Sequence, residues 1–149
     1  MDRHDWNRLN HIQLGRYAEY LVKMECALHG LDVYTAEVDD KGIDFVVRAH
    51  VDTFYDIQVK SLRPPGYVFM RKDRFDLRPT NLLALVLFFQ GKPPNLYLIP
   101  SVTWNTPAPP FVSRDYEGLQ SPPEWGVNLS KTGIAKLGRF RFDKQLANL

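Results

Sequence analysis

Asp44, Gln58 and Lys60 are the residues whose types and spacing carry chemistry in this 149-residue chain. They fall in the stretch Gly42 to Ser61, GIDFVVRAHVDTFYDIQVKS, which reads as two strands joined by a short polar turn. Strand side chains alternate with a period of two. Ile43, Phe45 and Val47 therefore share one face, and Asp44, Val46 and Arg48 the other. On the second strand Tyr55, Ile57 and Val59 share a face, with Asp56, Gln58 and Lys60 opposite. An aspartate, a glutamine and a lysine on neighbouring strands are a donor set for a divalent cation and an activated water.

The reaction such a set suits is phosphodiester hydrolysis. The phosphate charge must be neutralised, a water made nucleophilic and the leaving oxygen stabilised. A cation held by oxygen ligands can supply all three. Magnesium takes hard oxygen donors and keeps several waters, so few protein ligands suffice. Asp44 offers a carboxylate, Gln58 an amide oxygen, and the main-chain carbonyl of Val59 lies between Gln58 and Lys60 as a further ligand. Lys60 is placed to position or deprotonate the water and to offset phosphate charge. Glu19, upstream, completes the site if its helix packs against this sheet.

The elements that must position these residues are legible. Leu14, Tyr17, Ala18, Leu21, Met24 and Leu28 repeat at three- and four-residue spacing, which predicts a helix over Ile12 to His29 with one apolar stripe. Val22 and Cys26 widen the stripe, and Gly30 ends the helix. Glu19 sits at the stripe's edge. Glu25 lies nearer its middle and is a rival for the helix carboxylate. Leu31 to Glu37 reads as a first strand, and Asp39 to Gly42 as a turn. Arg63-Pro64-Pro65-Gly66 breaks the sheet, and Tyr67 to Met70 makes a short strand. Leu82 to Phe89, apolar throughout, predicts a strand buried on both faces, with Leu96 to Ile99 beside it. Residues 100–125 are proline-rich and read as an irregular excursion, with one helical turn near Val102. Glu124 to Leu129 is the last expected strand, and Lys131 to Leu137 a short helix capped by Ser130. Trp104 and Trp125 bracket the excursion as core anchors. The domain plan is a polar N-terminal arm over 1–11, touching the body through Trp6, and one mixed α/β domain over 12–149 with a helix preceding a central sheet.

Composition narrows the function classes. The formal net charge is +2, from 19 basic and 17 acidic residues, too small to imply nucleic acid without local clustering. Such a cluster follows the candidate site: Arg63, Arg71, Lys72 and Arg74, with Arg78, interleaved with Tyr67 and Phe69. It predicts a phosphate-tracking surface, against the plainer reading of a solvated loop diluted by Asp73 and Asp76. The single cysteine, Cys26, excludes an intramolecular disulfide and a cysteine zinc site, and suits a reducing cytoplasm. The four histidines have no zinc spacing. There is no Walker-type loop and no dinucleotide fingerprint. The start lacks a secretory signal, and no apolar run approaches the ~20 residues of a membrane helix. A cytoplasmic location without membrane contact is expected.

In order along the chain, Gly15 and Glu19 on a helix, then Gly42-Ile43-Asp44, then Gln58-Val59-Lys60 resemble the motifs of the PD-(D/E)XK nuclease superfamily. The likeness is to its Holliday-junction-resolvase-like and Mrr-like members, and to small bacterial domains carrying Gln-Val-Lys-Ser. It covers residues 12–62. The resemblance implies a restriction-endonuclease-like mixed sheet flanked by helices, with an αβββαβ-type core. It implies Mg2+ or Mn2+ held by Asp44, Gln58, the Val59 carbonyl and Glu19, with Lys60 at the reacting water. It further implies a nucleic-acid substrate, DNA favoured and branched DNA within range, and a homodimer. Gln58 departs from the acidic residue most members carry. The site thereby loses one negative charge and binds its metal more weakly, which keeps a binding-only domain as the alternative.

Overall fold

The strand at the centre of the molecule is β5 (Asn81–Leu87), buried at every position. A computed structural model describes residues 1–38 and 41–149; the turn expected at Asp39 and Asp40 lies outside them. The other elements are α1 (His11–Leu28), β1 (Asp32–Tyr34), β2 (Phe45–His50), β3 (Thr53–Leu62), β4 (Gly66–Arg71), β6 (Asn95–Pro100), β7 (Phe111–Arg114), β8 (Glu124–Leu129), α2 (Lys131–Ala135) and α3 (Phe142–Leu146).

Five strands form one sheet in the order β1-β2-β3-β5-β6, and β4-β8-β7 form a second. β3 and β5 are parallel, in register from Asp56 opposite Asn81 to Leu62 opposite Leu87; the other pairs of the large sheet are antiparallel. β5 has no polar alternation because each of its faces meets a separate core. On one side Leu82, Ala84 and Val86 join Phe45, Val47 and Ile57 against Leu14, Ala18, Val22 and Cys26 of α1, with Phe142 and Leu146 of α3. On the other, Leu83, Leu85 and Leu87 meet Val68, Met70, Val127 and Leu129 of the second sheet. Fully burying one such aliphatic side chain is worth ~1.5–3 kcal/mol.

Three local expectations change. The helix forms, but Met24 and Leu28 are 59% and 77% exposed. The buried line runs Leu14, Ala18, Val22, Cys26. This four-residue ridge is inclined to the helix axis, so the contact drifts away from Met24 and Leu28. Second, the parallel step from β3 to β5 carries β4 and a short 3-10 helix, Lys72–Arg74, where the αβββαβ order has an α-helix. The alternation Tyr67, Val68, Phe69, Met70 buries Val68 and Met70, which is a strand's solution to the same crossover. Third, the proline-rich excursion holds an ordered strand, β7. Its Phe111 meets the Trp104 ring edge-on at 5.1 Å, and the strand pairs with β8. The turn near Val102 is present as Ser101–Asn105.

The N-terminal segment is anchored. Trp6 is buried edge-on against Tyr17 and Phe88, and its indole N–H donates to the Lys92 carbonyl at 2.8 Å. Asn10 and Gln13 form a reciprocal capping box that starts α1. The Ser130 hydroxyl accepts the Gly133 N–H and caps α2. Among the described residues no helix is long and apolar enough to cross a membrane.

Candidate active site where two strands part

Asp44 stands just before β2, where that strand leaves β3. Its N–H donates to the Ile57 carbonyl at 2.9 Å, and its carboxylate Oδ2 accepts the Val59 N–H at 2.6 Å. A side-chain oxygen thus takes a ladder position that a main-chain carbonyl would otherwise fill. The N–H and C=O of one residue leave an extended strand on the same side. The Val59 carbonyl is therefore directed toward the Asp44 side of β3.

Tyr55, Ile57 and Val59 pack with the α1 core. Gln58 and Lys60, by alternation, project from the opposite face. Gln58 Oε1 is buried and has no hydrogen-bond partner among the described residues. A buried amide oxygen left unpaired is destabilising by ~1–3 kcal/mol, and it is a group a cation would satisfy. Lys60 is half-buried and makes no hydrogen bond or ion pair among the described residues. The Asp44 carboxylate, the Gln58 amide and the Val59 carbonyl are all oxygen donors, the hard type magnesium and manganese take. Among the described residues no three His, Cys, Asp or Glu side chains converge, so this set has a single carboxylate and otherwise neutral oxygens.

The remaining candidates lie elsewhere or have partners. Glu19 is on α1, in the layer covering the face opposite Gln58 and Lys60, and pairs with Arg16 at 3.1 Å. Glu25 lines a separate cavity with His29, Arg141 and Phe142. Arg63 donates to the Trp6 carbonyl at 2.6 Å and to that of Leu9, which ties the N-terminal segment to the end of β3. Arg71 forks onto Asp73 at 2.6 and 2.9 Å. Lys72 reaches Ser113 and Asp115, its ammonium 3.8 Å from the Trp125 ring centre. Arg74 lines a cleft with Lys41, Ile43, Arg78 and Asn81 beside the strand split. Gly42, at φ +77°, passes so close that a Cβ would lie 3.0 Å from the Arg74 carbonyl oxygen, which places a glycine two residues before Asp44.

On this face sequence reasoning named Arg78 and Asp56 without pairing them, and passed over a second group. Arg78 pairs with Asp56, two residues before Gln58. Tyr34 and Phe54 flank Arg48. The signal for the second was present in strand alternation, but the register that joins β1 to β2 was not. Tyr67 and Phe69, expected among the basic residues, stack on the second sheet with ring centres 6.3 Å apart. The Tyr67 hydroxyl donates to buried Glu124 at 2.5 Å; burial, then that carboxylate, push the phenol's pKa up.

The two sheets flanked by helices define a nuclease-like mixed α/β fold. Among solved structures the chain is similar to Hjc of Archaeoglobus fulgidus, a Holliday junction resolvase from an archaeal hyperthermophile. The TM-score is 0.57 at 10% identity, covering 89% of this chain and 95% of that one. At that identity the likeness is one of fold. No protein-family model matches the sequence, and no curated protein does.

Proposed function

We propose that this chain is a divalent-metal-dependent endonuclease that hydrolyses phosphodiester bonds, in DNA before RNA, with branched DNA as the favoured form. The observation that carries it is the unpartnered, buried Gln58 Oε1 on the strand that also bonds the Asp44 carboxylate. Asp44 is the anionic ligand, while Gln58 and the Val59 carbonyl add neutral oxygens. A magnesium or manganese ion bound there supplies charge neutralisation and a nucleophilic water. Lys60, a donor-only ammonium, orients that water and offsets the phosphate charge. Glu19 is the assisting helix carboxylate, a role that requires it to leave Arg16 and to reach Asp44 from the α1 side, around the point where β2 and β3 part. Support for a DNA substrate comes from the fold shared with a Holliday junction resolvase. The two-strand geometry of such a substrate suits a homodimer, and a cytoplasmic setting suits the lone buried thiol.

The test compares wild type with Asp44→Ala and Lys60→Ala on branched, linear and single-stranded DNA, with Mg2+ or Mn2+. Cleavage should be lost in both variants; cleavage that survives both would sink the assignment. A second reading, a domain that binds nucleic acid or a protein without cutting, is favoured by the neutral Gln58. It would give binding without cleavage and no thermal response to the metal.

A further inference from the structure

The sheet face that carries Gln58 and Lys60 extends beyond them. The second core covers β5 and β6 on this side, and among the described hydrophobic residues of β1 to β3 only Leu62 packs against it. Register and alternation place Tyr34 of β1, Arg48 of β2 and Phe54 of β3 on the same face: Tyr34 lies opposite Val46, Asp32 opposite Arg48, and Arg48 opposite Phe54. Tyr34 and Phe54 are 45% and 47% exposed. The Arg48 guanidinium lies 5.7 Å from the Tyr34 ring centre and 6.0 Å from that of Phe54, within cation–π range. Its Nε and Nη2 both donate to Asp32, at 3.3 and 3.0 Å. One edge of the guanidinium is thus tied down between two half-exposed rings.

Single exposed aromatics are ordinary. Two rings bracketing a fixed guanidinium on an uncovered sheet face make a platform for flat, π-faced groups. Nucleobases are such groups, and they stack on aromatic and arginine side chains alike. In a duplex their faces are hidden in the stack, so the ligand is an unpaired strand. Cations continue along β3 from the platform. Arg78 is held on Asp56 about 7 Å from Phe54, and Lys60 projects about 20 Å from it, at ~3.3 Å per residue. At ~3.4 Å per nucleotide of stacked strand, the run from Phe54 to Lys60 is about six nucleotides.

We infer that the open face of β1 to β3 binds an unpaired nucleic-acid strand, its bases stacked on Tyr34 and Phe54 around Arg48 and its backbone led past Arg78 to Asp44, Gln58 and Lys60. The direction of that strand rests on the nuclease reading. The inference narrows the substrate to a duplex bearing a splayed or single-stranded arm.

Binding is read by fluorescence anisotropy in EDTA, with a single strand, a splayed-arm duplex and a blunt duplex of matched length. The double variant Tyr34→Leu/Phe54→Leu removes both rings and keeps apolar bulk; Tyr34→Phe/Phe54→Tyr keeps both rings. The splayed duplex and the single strand should bind at least about tenfold tighter than the blunt duplex. The leucine variant should lose about tenfold or more on those two alone, since stacking on one side chain is worth roughly that or more per base. The ring-keeping variant should bind as wild type does. Equal affinity for blunt and splayed duplexes would overturn the inference. So would a leucine variant that folds with the wild-type thermal midpoint and still binds arms normally. A change in sedimenting mass with no change in binding would overturn it too, and would make the face a contact between two copies. A chain that binds arms through these rings but never cuts DNA would keep the platform and sink the nuclease reading.

Discussion

The Asp44 carboxylate bonds the Val59 amide at 2.6 Å, at the point where β2 and β3 part. A charged acceptor on a main-chain N–H is a stronger bond than a neutral one. It holds Asp44 on the side of β3 to which the Val59 carbonyl is directed, with Gln58 and Lys60 adjacent in sequence on either side of Val59.

Metal response should follow that geometry. Mg2+ or Mn2+ should raise the thermal midpoint of the wild type through preferential binding to the folded form. Asp44→Asn should abolish the rise while leaving the fold intact. Thermal melts across a metal titration would show it; an equal rise in both proteins would move the metal elsewhere.

Gln58 should separate stability from function. Because Oε1 is buried and unpaired, Gln58→Met should leave stability without metal unchanged or raise it by up to ~1–3 kcal/mol. The same variant should lose the metal-dependent shift. Gln58→Glu restores a carboxylate and should bind metal more tightly than wild type at neutral pH. Urea unfolding and calorimetric metal titration are the two readouts, and a Met variant that is both less stable and metal-responsive would contradict them.

Arg63 should behave as a structural clamp. Arg63→Ala removes the donor to the Trp6 and Leu9 carbonyls and should cost about 1–3 kcal/mol. It should leave the salt dependence of DNA binding unchanged. A phosphate contact would instead lower the log–log salt slope by about one, so a binding series from low to high salt decides between them.

Gly126 and Tyr67 should be coupled. A Cβ at Gly126 would fall 1.9 Å from the Tyr67 hydroxyl and 2.3 Å from its ring. Gly126→Ala alone should destabilise by about 1–3 kcal/mol or more. In Tyr67→Ala the same change should cost much less, a difference a double-mutant cycle reads directly. Additive effects would mean that the ring does not lie over the glycine.

Alkaline stability should carry the signature of Cys26. Burial, with the Glu25 charge adding to it, pushes the thiol from its ordinary 9.0 up to about 12. The folded state then holds this proton more tightly than the unfolded chain. Its contribution is fully present below about pH 9 and is lost as the pH rises toward 12. Cys26→Ala should flatten that limb of a urea-midpoint profile. Tyr67, whose pKa is also raised, contributes with the same sign, and Tyr67→Phe would isolate its share.

Much of this was already legible in the chain. Apolar spacing determined α1, the unbroken run at Leu82 to Phe89 determined a strand covered on both sides, and two-residue alternation put Gln58 and Lys60 on one face. These are local properties, set by the 3.6- and 2-residue periods of the backbone. Tertiary structure decided what local periods cannot carry. Which four-residue ridge of α1 is buried depends on the angle at which the helix crosses the sheet. Arg63 and Lys72 read alike as cations until Trp6, Leu9 and Asp115, distant in sequence, claim them. Whether Tyr34 shares a surface with Phe54 depends on how β1 registers against β2. The bond from Asp44 to Val59 exists only because β2 leaves β3 at that residue, a parting that long-range packing enforces and no side-chain pattern announces.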